Sequence, residues 1–147
     1  MFKIEFDKEI FKNVLIYRTD EYSFEYTPYD NTDISLLIDY LQIHIDSLDG
    51  KVHGVDGFHS HKIWKPAKLT IPKCKNGHLI CTVKYQSGSI NRIIQKIETF
   101  YDENTGWICV GNMKDLMNTK SVRFATDMIA TIKDNQLTAL WLHPKFE

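Results

Sequence analysis

The strongest hydrophobic pattern runs from Ser121 to Pro144, SVRFATDMIATIKDNQLTALWLHP. Apolar and polar residues alternate, the polar pair Asp134-Asn135 interrupts, and the alternation resumes. This predicts a β-hairpin turning at that pair. Val122, Phe124, Met128, Ala130 and Ile132 fall on one face. The turn sets Ile132 opposite Leu137, Ala130 opposite Ala139 and Met128 opposite Trp141, and cross-strand partners point the same way. All six of these paired residues are therefore expected on one side of the sheet, with the register held by the cost of moving Trp141 off it.

Earlier segments read as strands added to this hairpin. MFKIEF alternates. FKNVLIYR reads as a second strand, although Ile10, Phe11, Val14 and Leu15 also suit a short helix. EYSFEYTP reads as a third, with Tyr22, Phe24 and Tyr26 on one face and Pro28 ending it. One helix is predicted over about residues 33–48. Asn31-Thr32-Asp33 supplies the cap and Asp33 the first-turn carboxylate. Ile34, Leu37, Ile38, Leu41, Ile45 and Leu48 make the apolar stripe, with Asp39, Gln42 and Asp46 opposite and Gly50 as an αL cap.

From Lys51 to Lys65 the periodicity dissolves into a predicted loop, KVHGVDGFHSHKIWK. AKLTIP and HLICTVKYQ flank Asn76-Gly77, a hairpin signal. INRIIQKIETFY, residues 90–101, fits a helix or a strand. The strand is favoured because Glu103-Asn104-Thr105-Gly106 resembles a type I turn with a Gly bulge leading into WICVG. The expected fold is α+β: a mainly antiparallel sheet of six to eight strands with one amphipathic helix packed on it, in a single domain spanning 1–147.

Charge changes this picture. The net charge of −1 conceals four cations against eleven anions in residues 1–50, a balance of −7, and +6 in the remainder. Such a split points to a partner surface, unless folding interleaves the two halves. The candidate surface is the acidic, tyrosine-rich stretch with Asp20, Glu21, Tyr22, Glu25, Tyr26, Tyr29 and Asp30, extended by Asp39 and Asp46 on the outer side of the helix. Tyrosines carry interface energy and carboxylates steer cationic partners, although the same aromatics also suit a core.

Catalytic signatures are missing: no G-x-S-x-G, no Walker loop and no G-x-G-x-x-G. The alternative chemistry is metal-dependent hydrolysis or nuclease activity in the loop, using His53, Asp56, His59 and His61. His59 and His61, two apart, would point the same way on extended backbone, but the spacing matches no specific zinc pattern. Cys74 lies between Lys73 and Lys75, which would lower its thiol pKa. Lys62, Lys65, Lys68, Lys73, Lys75 and Lys84 with Trp64 offer a backbone-and-stacking site for nucleic acid, but the overall charge opposes a dedicated binder. Three cysteines without C-x-x-C spacing, the absence of a long apolar run and a start without secretory character lead to the expectation of a cytoplasmic protein with reduced thiols.

The phrases LTALWLHPKF and FYDENTGWICVG resemble small bacterial immunity proteins of contact-dependent growth-inhibition and polymorphic toxin systems. The resemblance implies a non-enzymatic inhibitor without a cofactor. Its partner would be a cognate, basic toxin domain, often a nuclease, whose active site it occludes, with its acidic residues in the place of phosphate; from the net charge and the lack of a long apolar run, no direct nucleic-acid or membrane partner is expected.

Overall fold

Period-two alternation governs the chain even where a helix was expected. The computed structural model describes residues 1–29, 31–114 and 116–147. Among them run fifteen strands: β1 (Phe2–Phe6), β2 (Val14–Arg18), β3 (Ser23–Thr27), β4 (Ile34–Ile38), β5 (Leu41–Ile45), β6 (Val52–Phe58), β7 (Lys65–Pro66), β8 (Lys75–Cys81), β9 (Ile90–Ile94), β10 (Thr99–Tyr101), β11 (Ile108–Gly111), β12 (Lys120–Ala125), β13 (Met128–Lys133), β14 (Gln136–Leu142) and β15 (Lys145–Phe146). The only helical element among the described residues is a 3₁₀ turn, His61–Ile63.

The strands form two mixed sheets. One has the order β1-β8-β12-β13-β14-β11-β10-β7, the other β15-β2-β3-β6-β5-β4-β9. Parallel pairs occur in both, at β8/β12 and β7/β10 in the first and at β2/β15 and β4/β9 in the second. The two sheets share one core. Phe2, Leu79, Phe124 and Met128 from the first meet Leu15, Tyr17, Leu36 and Ile43 from the second. At one corner the sheets join, where Cys81 N–H donates to Gly50 O at 2.8 Å and Lys51 bridges Ile80.

The α+β expectation fails at residues 33–48. There β4 and β5 pair as a hairpin across Asp39-Tyr40, with Ile38 opposite Leu41 and Ile34 opposite Ile45. The sequence carries two periods at once. The helical stripe needs Leu48, which is 90% exposed, whereas the strand pattern buries Leu36 and Ile43 completely. β-Branched isoleucines and a two-residue turn with Asp39 at φ 54 favour the strands. Gly50 does adopt positive φ, 76, but it closes a turn and not a helix. Asp33 caps nothing helical. Its carboxylate accepts from Ser47 N, Ser47 Oγ and Ser87 Oγ, ties two loops together, and is held down at a pKa of about 2, chiefly by Ser47 and then Ser87.

The predicted hairpin exists, and Ile132 does face Leu137, but a bulge then shifts the register. Thr131 faces Ala139, Ala130 faces Leu140, and Met128 faces Leu142. Trp141 therefore lies opposite Ile129 on the outer side of the sheet, away from Met128. Thr138 is the inserted residue, and its hydroxyl donates to Thr131 O. The bulge lets Leu140 and Leu142 fill the shared core while the Trp141 indole N–H reaches Thr131 Oγ1 at 3.0 Å. A second break, at Asp127 (φ 60), separates β12 from β13, yet Val122, Phe124, Met128, Ala130 and Ile132 all reach the same core.

Other segments depart from the sequence reading as well. AKLTIP is not a strand. With Cys74 it forms a strap across the outer side of the first sheet, where Leu69, Ile71 and Ala67 cover Trp141, Ile129 and Cys109. Asp102 Oδ2 fixes the strap by accepting from Leu69 N–H at 3.0 Å. Asn76-Gly77 lies inside β8 and is not a turn. A Cβ on Gly77 would meet Glu5 O at 2.5 Å, so glycine permits the close approach of β1. The predicted loop after Lys51 begins as β6. Residues 90–101 are extended, as favoured, but divide between β9 in one sheet and β10 in the other. The turn at Glu103–Gly106 joins antiparallel β10 and β11, as expected. No helix of the described residues is long and apolar enough to cross a membrane.

Leu36→Ala should cost about 2–5 kcal/mol in urea unfolding, and Leu48→Ala should change stability by less than about 0.5 kcal/mol. A helix over 33–48 would make Leu48 costly.

Candidate functional site

Three strand ends converge at one end of the second sheet. The β2–β3 turn ends at Tyr22, which adopts φ 55 and so leaves the strand. The β4–β5 turn presents Tyr40, and β6 ends at Phe58. His59 N–H donates to Tyr22 O at 2.7 Å, joining the first turn to the third element. Gly57, at φ 102, lets β6 pass Tyr40 O, which a Cβ would meet at 3.0 Å.

Aromatic rings line this rim. Tyr22 and Phe58 have centroids 6.3 Å apart, and Phe58 and Tyr40 6.2 Å. His61 stacks on Tyr22 at 5.1 Å. Lys62 lies over Tyr22, and Arg92 lies over Tyr40 while donating to Asp39 O. Phe58 is 49% exposed and Tyr40 60%. Beneath the row, Tyr17 donates its hydroxyl hydrogen to His59 O at 2.7 Å and accepts from His61 N–H at 2.9 Å. Burial pushes the Tyr17 phenol up to about 12. His59 Nε2 pairs with Thr99 Oγ1 at 2.6 Å, and burial depresses the imidazole to about 4, opposed by Asp39.

The proposed acidic surface divides. Asp20, Glu21, Tyr22 and Asp39 belong to the rim. Glu25 is on β3 beside it but is ion-paired with Arg18 at 2.5 Å. Tyr26 is buried, its ring against Gly54, where a Cβ would meet it at 2.7 Å. Tyr29 is exposed but stacks on Tyr26. Asp46 follows β5, at the end of the hairpin away from the Asp39 turn. Asp30 lies outside the described residues. The expected shared face of Tyr22, Phe24 and Tyr26 fails because Tyr22 sits in the turn, whereas Phe24 and Tyr26 enter the core. Tyr40, Phe58 and Arg92 were missed as a group. The signal for Tyr40 was Asp39-Tyr40 between two alternating runs, readable as a hairpin turn.

The alternative metal set is scattered. His53 is buried and stacks on Phe11 at 3.9 Å. Asp56 turns to His44, His59 is buried on Thr99, and His61 faces Tyr22. Among the described residues no three His, Cys, Asp or Glu side chains gather in a metal-binding arrangement. Trp64 packs against Tyr17 at 4.8 Å and Tyr101 at 5.5 Å, so it offers no stacking platform among the lysines. The Cys74 thiol is pushed up by burial, which outweighs the opposing effect of Arg123.

One polar cluster was not anticipated. His44 Nε2 meets Asp56 Oδ1 at 2.6 Å, Tyr29 donates its hydroxyl hydrogen to Asp56 Oδ2 at 2.9 Å, and Ser35 Oγ lies 3.5 Å from His44 Nδ1. The order Ser-His-Asp resembles a nucleophile relay, but Ser35 is at the limit of hydrogen bonding. The residues also sit on neighbouring strands β4, β5 and β6, and Asp56 is shared between His44 and the Tyr29 hydroxyl. The cluster holds the Pro28-Tyr29 segment against β5 and β6, and burial followed by the Asp56 charge raises the Tyr29 phenol pKa.

His59 gives a pH signature. Its folded pKa lies below its ordinary value of 6.5, so the unfolded chain takes up the proton first as pH falls. The resulting stability is full above about pH 6.5 and is lost towards about pH 4, a decline on the order of 2–3 kcal/mol. Urea unfolding at pH 7 and pH 4.5 should show a smaller decline for His59→Gln than for the natural chain. Among known proteins, no family model matches this sequence and no curated protein matches it significantly.

Proposed function

We propose that this chain is a non-enzymatic, immunity-type binding protein that docks the Tyr22–Phe58–Tyr40 rim onto a cognate toxin domain and covers that domain's active site. The observation that carries the reading is the exposed aromatic row at the end of a rigid sheet, with Phe58 49% and Tyr40 60% accessible. Phe58 is placed by the register of β6 and Tyr22 and Tyr40 by the adjoining turns, and large rings on such a fixed backbone bury much apolar area on binding, which is the chemistry of interface hot spots. Asp20, Glu21 and Asp39 flank the row and outnumber Lys62 and Arg92 over its rings, a balance that favours a basic partner surface and steers its approach. The acidic surface is smaller than the sequence suggested, because Glu25 is neutralised and Asp46 lies elsewhere. The aromatics therefore supply affinity and the carboxylates association rate. The resemblance in LTALWLHPKF and FYDENTGWICVG supports the choice of a toxin as partner. The three free cysteines suit a cytoplasmic setting.

The test is calorimetric titration with the toxin domain encoded next to this chain's gene. A one-to-one complex is expected. Phe58→Ala and Tyr40→Ala should each weaken it at least about tenfold, whereas Asp46→Ala should alter it less than about twofold. Added salt should slow association with little effect on dissociation. Absence of a complex, or equal losses from Asp46→Ala and Phe58→Ala, would overturn the reading.

A further inference from the structure

The first sheet carries a cleft that the docking rim does not use. Where β11 ends, Gly111 N–H donates to Glu98 O at 2.9 Å and Asn112 N–H donates to Thr138 O at 3.0 Å. Gly111 has φ 124, and a Cβ there would meet Thr138 O at 2.2 Å, so the chain passes this point only as glycine. These contacts hold residues 96–98 and 112–114 around Phe100 and border a cleft of about 630 Å³.

The lining has two kinds of surface. Ile97, Phe100 and Met113 supply apolar area, and Lys65, Lys96 and Lys114 supply positive charge. Glu98 pairs with Lys65 at 2.5 Å, and the Lys65 ammonium is the main cause of the lowered Glu98 pKa. Lys96 adds to the lowering of the Glu98 pKa only through its charge, behind Lys65, and among the described residues Lys114 pairs with no carboxylate within ion-pair distance. The four charged side chains together carry +2.

We infer that this cleft binds a small organic monoanion with a flat apolar body, of which an aromatic carboxylate is the simplest form. The volume falls in the range of small-molecule sites. A planar ring lies against Phe100 and Met113, whose thioether is polarizable and conforms to aromatic faces. The carboxylate lies between the ammoniums of Lys96 and Lys114, which act as point charges and impose no fork geometry. Glu98 opposes a second negative charge, so a monoanion is favoured over a phosphate dianion. A bare inorganic anion leaves the apolar floor unused.

The probe is 2-naphthoate, titrated against the full chain and followed by amide chemical shifts, with 2-naphthamide and inorganic phosphate as comparisons. Saturable binding should move the resonances of residues 96–100 and 111–114. It should weaken about tenfold in Lys96→Ser/Lys114→Ser and about tenfold for the uncharged amide. Both lysines are exposed, and an unchanged thermal midpoint establishes that the double variant folds. Failure to saturate by about 10 mM, corresponding to affinity weaker than ordinary millimolar ligands, would overturn the assignment. So would equal binding by the double variant or the amide, shifts located elsewhere, or phosphate binding as tightly as naphthoate.

Discussion

The burial of one face of each sheet in a common core determines which side chains remain outside. In β6, Gly57 lies opposite both Phe24 and Leu41, two fully enclosed residues, so the next position, Phe58, is directed away from the core opposite Ser23. The same constraint in the β4–β5 hairpin encloses Ile38 and Leu41 and leaves the two turn residues between them outside. The exposed ring row is thus a consequence of register. Moving β6 by one residue would place Phe58 inside and withdraw its neighbours from the core, a change that period-two geometry makes costly.

Strands were legible in the first third of the chain: β1 follows the alternation of MFKIEF, β2 and β3 fall within the segments read as strands although Tyr22 lies in the turn before β3, and the turn before β11 was identified by its glycine. Residues 33–48 misled because Ile34, Ile38, Leu41 and Ile45 satisfy both the helical and the extended period. The deciding residues were the ones that differ, Leu36 and Ile43 against Leu48. The final hairpin misled for another reason. Its pattern was correct up to Leu137, but a bulge is a response to what must be packed on each side of the sheet, and nothing local to Thr138 announces it. The strap that covers Trp141 misled in another way: Ala67, Leu69 and Ile71 alternate as in a strand and do turn one side to the sheet, but nothing in AKLTIP shows that the segment joins no ladder.

For the site, composition was legible and position was not. The sequence groups acidic and aromatic residues by their proximity along the chain. Folding sends neighbours apart, as with Tyr22 and Tyr26, and brings distant residues together, as with Tyr22, Tyr40, Phe58 and Arg92. In a molecule built mainly of non-local strand pairing, adjacency along the chain is a weak guide to adjacency in space.

Polar side chains tie much of this structure together. Several groups with chemical potential are engaged in holding a segment in place. Asp33 ties two loops through serines, Asp102 fixes the strap, Asp56 and His44 retain Tyr29, and His59 is enclosed against Thr99 in its uncharged form. A general base needs a reachable proton and a cavity beside it, and a metal needs several converging donors. The side chains named above secure the scaffold, while the rim leaves Phe58 and Tyr40 largely accessible, with Arg92 over Tyr40 and His61 and Lys62 over Tyr22. Rings carried on a backbone already fixed by strand pairing lower the entropic cost of the association proposed for the rim.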